Sequence, residues 1–292
     1  MPVNENVDAW RSVAAGWERW RPLFLDSTRV VSERLVELLD PRPGETILEL
    51  AAGPGDTGLL AAPSLTPGGR LVSTDFAPEM LQAAERRAME LGLDEGLVSF
   101  QVEDMTALSF DDAMFDGIVC RWGLMLAPDI DRALSEIARV LRPGGRVAVA
   151  VWADPDDNDW MTAPGRSALE LGLAERPEPD APGPFRLSRD GLLAEVLTGA
   201  GLTVETVEDV ALTWRAPRLS EWWAVARDTS RALASILDRA SEEEATALRA
   251  EAESLPSRKL VAPIRVQRAF QALHGAGDWK DAYDELRYRS AG

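Results

Sequence analysis

The stretch Glu49-Leu50-Ala51-Ala52-Gly53-Pro54-Gly55-Asp56-Thr57-Gly58 joins an acid at the end of an apolar run to a loop of small residues. Twenty residues beyond Gly55 stands a second acid, Asp75, closing another short apolar run that begins at Arg70. These residue types can grip an adenosine-like ligand. Glycines at 53 and 55 let main chain approach a ligand where a Cβ would collide, and a carboxylate at the end of the next strand can accept both hydrogen bonds of a ribose diol.

The same loop satisfies G-x-G-x-x-G from Gly53 to Gly58, the fingerprint of nicotinamide and flavin enzymes, so an NAD(P)-dependent oxidoreductase is one reading. The position of Glu49, four residues before Gly53, argues for another. A carboxylate there repels a pyrophosphate and attracts a cation, and the sulfonium and ammonium groups of S-adenosylmethionine are cationic. A tight strand-to-helix turn with no ligand is the plainest alternative.

Other reactive side chains are few. His274 is the sole histidine, so any imidazole general base must be this residue, although a solvated loop histidine is the commoner case. Cys120, the sole cysteine, is expected at a buried strand end, inert, and precludes an internal disulfide. The run Asp154-Pro155-Asp156-Asp157-Asn158-Asp159 invites a calcium reading, yet the sixth position is Asp159 rather than glycine and the twelfth is Gly165 rather than glutamate. With one histidine and one cysteine a zinc site is not expected either, and no metal is assigned.

The elements that must hold these residues follow from periodicity. Trp10, Val13, Ala14, Trp17 and Arg21 fall at helical spacing, predicting an amphipathic helix over 8–21 that stops at Pro22, and a second helix over 27–39. Strands are predicted at 45–50, 70–75, 97–102, 115–120 and 146–152, alternating with helices near 56–62, 78–91 and 131–141. The turn Arg142-Pro143-Gly144-Gly145 precedes the fifth strand. This alternation predicts an α/β fold, a doubly wound, mostly parallel sheet that binds ligands beyond the carboxyl ends of its strands. There Glu49, Asp75, Asp104, Arg121 and Trp152 would gather. An acidic, proline-rich excursion is expected over 154–184, then a helix over 189–199 and a strand over 202–212. Two helices are expected over 219–255, the second opened by a Ser241 and Glu244 capping box, then a last strand over 264–273 and a polar tail over 278–289. The implied organisation is an N-terminal lid helix (1–26), a cofactor-binding core (27–153), an insertion (154–184), a continuation of the core (185–215), a helical lid (216–257) and a last strand with tail (258–292).

Composition bounds the partners. The 292 residues carry 31 Lys and Arg against 49 Asp and Glu, a net charge of −18 that repels a phosphate backbone and an anionic membrane alike. Neither nucleic acid nor membrane insertion is expected. Residues 1–6 lack the basic and apolar regions of a secretory signal, which predicts a cytoplasmic protein, monomer or homodimer.

Five separated motifs, over roughly 45–152, resemble a class I S-adenosylmethionine-dependent methyltransferase, in pattern the UbiE-like branch of quinone C-methyltransferases and their small-molecule relatives. The carriers are Glu49 through Gly58, Asp75-Phe76-Ala77-Pro78-Glu79-Met80, Glu103-Asp104-Met105, the run from Phe115 to Met125, and Leu141 through Gly145. The resemblance implies a Rossmann-like sheet with an added helical cap and S-adenosyl-L-methionine as cofactor. It implies that Ala51, Gly53, Pro54 and Gly55 line the methionine moiety, that Asp75 holds the ribose, and that Phe76 and Met80 flank the adenine. Asp104 would accept from the adenine amino group and Met105 offer a backbone N–H. Arg121 and Trp122 fall where the family places residues between cofactor and acceptor, so Arg121 has a cofactor or catalytic reading beside that of a rim ion pair. Trp10, Trp17, Trp20 and Arg21 would close over the site, unless that stripe is ordinary helix packing. Trp17, Trp122, Trp152 and Trp222 are the candidates for an apolar acceptor pocket. Many family members carry glycine where this chain has Ala51. The implied activity is methyl transfer to oxygen, carbon or nitrogen of a small, largely apolar acceptor in secondary-metabolite or quinone biosynthesis. The oxidoreductase remains an alternative, as does a protein of this fold that binds the cofactor without methyl transfer, as a cyclase or binding module.

Overall fold

The computed structural model describes residues 3–178, 180–213, 219–254 and 261–271. Among the described residues, seven strands form one sheet in the order β3-β2-β1-β4-β5-β7-β6. Its members are β1 (Thr46–Leu50), β2 (Arg70–Asp75), β3 (Val98–Val102), β4 (Phe115–Arg121), β5 (Leu141–Trp152), β6 (Leu202–Thr213) and β7 (Val261–Gln271). The first five run parallel and β7 is antiparallel to both neighbours. Central strands covered on both faces need continuous apolar runs, and Ile47, Leu48 and Leu50 of β1 are buried with Ile118, Val119 and Cys120 of β4. The order reverses between β1 and β4, so the crevice for a ligand opens above Glu49 and Arg121.

The predicted βα alternation is present: α2 (Gly58–Ala61), α3 (Pro78–Glu90) and α4 (Ile130–Val140) follow β1, β2 and β4, and α6 (Leu192–Gly199) precedes β6. Several expectations need correction. The two N-terminal helices are one, α1 (Val3–Leu39), which carries Pro22 inside it. Its buried positions Val13, Phe24, Val31, Leu35 and Leu38 keep one phase across the proline, so packing of that stripe outweighs the lost backbone bond. The turn at 142–145 lies within β5, as a bulge where Phe115 pairs with Leu141 and Gly117 already pairs with Arg146. The excursion at 154–184 contains a full helix, α5 (Asp159–Glu170), despite Pro164.

That helix belongs to the cap. Instead of the two helices expected over 219–255, the described residues there form three, α7 (Leu219–Thr229), α8 (Arg231–Leu237) and α9 (Glu242–Ser254), because Ser230 caps α8 by accepting from the Leu233 N–H. Ala163 and Ala168 of α5 pack with Trp222, Trp223, Leu233, Ile236, Leu248 and Ala252 as a second apolar core. The Ser241 and Glu244 capping box is formed in both directions, the Glu244 carboxylate accepting from the Ser241 N–H at 2.7 Å. Among the described residues, no helix is long and apolar enough to cross a membrane. His274 and the polar tail lie outside the described residues.

Candidate cofactor and acceptor site

The loop after β1 is held from beneath. Glu49 is buried, and its carboxylate accepts from Ser73 Oγ at 2.7 Å and from the Gly58 N–H at 2.6 Å, which opens α2. Burial pushes its pKa up to about 7, against the lowering pull of these two hydrogen bonds and of Arg121. Glu49 therefore anchors the loop rather than reaching into it. The N–H that a dinucleotide fold would turn to pyrophosphate is already taken, which weighs against the nicotinamide reading.

Asp75 organises the loop from the side. Its two carboxylate oxygens accept from the Gly53 and Ala77 N–H groups, each at 2.9 Å. An ionised carboxylate offers about four acceptor positions, so these bonds leave it capacity for a ribose hydroxyl. Burial raises its pKa to about 6, opposed by the N–H groups of Ala77, Gly53 and Phe76. Gly53 has a φ of 55° and no atom within 4 Å of where a Cβ would stand, a clear approach for a ligand. Gly55 is small for another reason: its Cβ would meet Ala84 Cβ and Leu59 Cδ1 at 2.9 Å, so it admits α3 rather than a ligand. Ala51 adopts a φ of 52°, a left-handed conformation that favours glycine. A Cβ on Gly123 would stand 2.4 Å from Ala51 Cβ, so the bare Gly123 makes room for the methyl that Ala51 adds.

Beyond the other strands, Phe76, Asp104 and Met105 are half-buried and Met80 is buried. The Asp104 carboxylate accepts from the N–H and Oγ1 of Thr106, both at 2.8 Å.

Next to this loop lies a cavity of about 260 Å³, its open mouth included, lined by Trp17, Arg21, Phe24, Thr28, Pro54, Asp56, Arg121 and Trp122. Asp56 lies buried between two guanidiniums, accepting from Arg21 Nε at 3.2 Å and Arg121 Nη2 at 3.4 Å. Arg121 also donates to Thr28 Oγ1 at 2.9 Å and lies 4.8 Å over the Trp122 ring. Burial pulls its pKa down while Asp56 and Glu49 oppose that. Trp122 stacks on Trp152 at 4.7 Å and holds a φ of 60°, a strained conformation for so large a residue. The structure thus brings Pro54, Arg121, Trp122 and Trp17 to one cavity, with Trp152 behind the wall. It does not bring Trp20, whose Nε1 donates to Asp228 at 2.9 Å, nor Trp222, which is buried in the cap and donates to the Trp160 carbonyl at 2.7 Å. Phe24, Thr28 and Asp56 were not singled out in sequence. The first two lie on the α1 stripe once it is continued through Pro22, and Asp56 is the acid inside the glycine loop.

Comparison with known proteins places this arrangement. The methyltransferase domain family matches residues 48–149. Demethylmenaquinone methyltransferase of Symbiobacterium thermophilum is 36% identical over 146 residues, 49% of this chain and 53% of that protein, so the match spans about half its length. Nocamycin O-methyltransferase of Saccharothrix syringae is 33% identical over 215 residues, 70% of this chain and 72% of that protein. Among solved structures, the YcgJ protein from Bacillus subtilis superposes with a TM-score of 0.55 at 19% identity, over 82% of this chain and 97% of that one. The [4+2]-cyclase SpnF superposes with a TM-score of 0.54 at 19% identity, over 83% and 81%. Identities this low show a shared fold alone. The fold, the glycine loop with its two acids and the extent of the curated matches agree: the chain belongs to the S-adenosylmethionine-dependent methyltransferase family, and S-adenosylmethionine is its cofactor.

Proposed function

We propose that the chain transfers the methyl group of S-adenosylmethionine to a small, largely apolar acceptor held in the cavity beside the loop. It would do so as a cytoplasmic monomer or homodimer, without nucleic acid or membrane partners. One observation carries the acceptor assignment: Pro54 of the cofactor loop is also a wall of the cavity built by Trp17, Phe24 and Trp122. Loop and cavity therefore share a boundary across which a methyl group can pass.

When bound, S-adenosylmethionine supplies a methyl sulfonium already reactive enough for in-line attack. The chain's residues align and enclose. Asp75 fixes the ribose end, with Gly53 as its open flank, while Phe76, Met80, Asp104 and Met105 take the adenine. Glu49 and Gly58 keep the loop in shape. Trp17, Phe24 and Trp122 exclude water from the acceptor side and Arg121 orients it. Alignment and dehydration of this kind are worth up to about 7 to 11 kcal/mol in favourable cases.

Calorimetry against S-adenosylhomocysteine and NAD, then detection of S-adenosylhomocysteine release with a panel of acceptors, tests the proposal. We expect the first ligand to bind and NAD not to, and release to depend on acceptor. Cofactor binding with no release across oxygen, carbon and nitrogen acceptors would leave a binding protein or cyclase instead.

A further inference from the structure

The walls of the cavity are one-sided in their hydrogen bonding. Trp17 and Trp122 both line it, and the indole nitrogen of each is buried without a partner. An indole N–H only donates, and when buried it ordinarily finds an acceptor. Arg21 and Arg121 only donate as well. The one carboxylate in the wall, Asp56, already accepts from both guanidiniums, which leaves the lining with a net positive charge. Thr28 Oγ1 is engaged by Arg121. Two guanidiniums, aromatic faces and two indole N–H groups without a partner thus belong to the walls of one cavity.

We propose, resting on the methyl-transfer reading above, that the cavity selects an acceptor bearing an anionic oxygen on a planar or apolar body, a carboxylate or an enolate, which the indole N–H groups of Trp17 and Trp122 recognise. That oxygen is the atom methylated. Its lone pair forms the new bond to the methyl carbon as the carbon–sulfur bond breaks, and the pair from that bond stays on sulfur. The donor leaves as the neutral thioether, and an acceptor that enters as the anion has no proton to lose. A neutral alcohol would have to hand its proton to Asp56, whose carboxylate is already neutralised by two guanidiniums. The amino-acid end of the cofactor also carries a carboxylate, but its ammonium and the adjacent sulfonium disfavour a net cationic pocket.

Benzoate and its neutral isostere benzamide are the probes, titrated calorimetrically into the full chain saturated with S-adenosylhomocysteine. Benzoate should bind at least about tenfold more tightly than benzamide, as expected where donors face a charged rather than a neutral oxygen. Trp17→Phe and Trp122→Phe, which keep an aromatic wall and remove one N–H, should each weaken benzoate about three- to tenfold and leave S-adenosylhomocysteine affinity within about twofold. Equal binding of the two probes, or no benzoate binding by the unaltered chain, would overturn the proposal while S-adenosylhomocysteine binding left the methyltransferase reading standing. The other source of carboxylate is separated by 5′-methylthioadenosine, which lacks the amino-acid end. If the Trp variants weaken S-adenosylhomocysteine but not 5′-methylthioadenosine, and benzoate competes with S-adenosylhomocysteine, the cavity holds the cofactor's own carboxylate and the proposal fails.

Discussion

At the scale of single residues, the proposed reading gives Asp75 two jobs, holding the loop and holding the ribose, whose pH dependence can be separated. Burial raises its pKa from 3.8 to about 6, so between those values the folded chain holds a proton that the unfolded chain has lost. Its contribution to apo stability therefore falls as pH rises through that window, and Glu49, raised from 4.5 to about 7, extends the fall upward. Ribose hydroxyls need the ionised form and would lower the pKa again, so S-adenosylhomocysteine binding should strengthen as pH rises through about 6 and release a proton below it. Calorimetry in buffers of different ionisation enthalpy, from about pH 5 to about pH 8, reads both; a flat profile would remove Asp75 from the cofactor contact. Asp75→Asn should cost about ten- to a hundredfold in affinity with native circular dichroism, the loss of charge-assisted bonds worth roughly 1.5 to 3 kcal/mol. A second pair is steric. Gly123 has a φ of −94°, open to any residue, so only space forbids a side chain there. We predict that Gly123→Ala destabilises by about 1 to 3 kcal/mol as an overpacked contact with Ala51, and that Ala51→Gly in the same chain restores part of the loss. Additive effects in thermal unfolding would show that the two positions do not share that space.

At the scale of elements, α1 is the part read least well from sequence, and the reason is Pro22. A proline inside a helix removes one backbone bond and presses on the preceding turn, at a cost of about 3 kcal/mol, which is why the helix was expected to stop. What continues it is tertiary: Val31, Leu35 and Leu39 against the sheet, Ser32 to Thr57 at 3.0 Å, and Trp17 stacked on Phe24 at 4.6 Å across the proline. Periodicity carried the fact, since the stripe keeps phase, but the local rule overrode it. By contrast β1 to β5 with α3 and α4 were legible because apolar runs of strand length alternate with strongly periodic helices there. In the same way the strand-end positions of Glu49 and Asp75 could be read, while the Asp56, Thr28 and Arg121 cluster could not, because it forms only when α1 folds over the loop. The packing of α5 on α7 through α9 is not legible in sequence because these helices meet only in three dimensions. Pro22 has a further consequence. The cavity is walled by Trp17 and Arg21 before it and by Phe24 and Thr28 after it, so α1 is weakest in the middle of the wall. We predict that Pro22→Ala raises the melting temperature and slows S-adenosylhomocysteine association measured by stopped flow. Unchanged association with raised stability would show that α1 need not bend for entry.

At the scale of the whole molecule, α1 joins the two cores as one lever. Its C-terminal half is fixed to the sheet domain, where Arg146 Nε donates to the Leu39 carbonyl at 2.6 Å and Arg34 donates to Glu208 of β6 at 2.7 Å. Its N-terminal half is fixed to the cap. Trp20 and Arg19 both donate to Asp228, Arg231 lies 4.4 Å over the Trp10 ring, and Gly16 packs so closely on α7 that a Cβ would stand 1.9 Å from the Asp228 carbonyl oxygen. The enclosed space of the cavity between these anchors is little more than water-sized, so an acceptor requires it to widen. Because Asp228 ties α7 to α1, widening must move the cap and the first half of α1 as a body, with closure around the ligands restoring the contacts and expelling water. Hydrogen exchange should therefore show the N-terminal half of α1 and α7 gaining protection together when S-adenosylhomocysteine is added, with β1 and β4 unchanged. Asp228→Ala removes the tie without touching the cavity wall. In that variant α1 should still respond to S-adenosylhomocysteine while α7 responds less, and the ratio of the two gains in protection measures how rigidly the cap is coupled. If α7 responds as fully in Asp228→Ala as in the unaltered chain, the coupling runs through the Gly16 contact and the second core instead, and Gly16, whose replacement the closeness of Asp228 forbids, becomes the residue on which the lever turns.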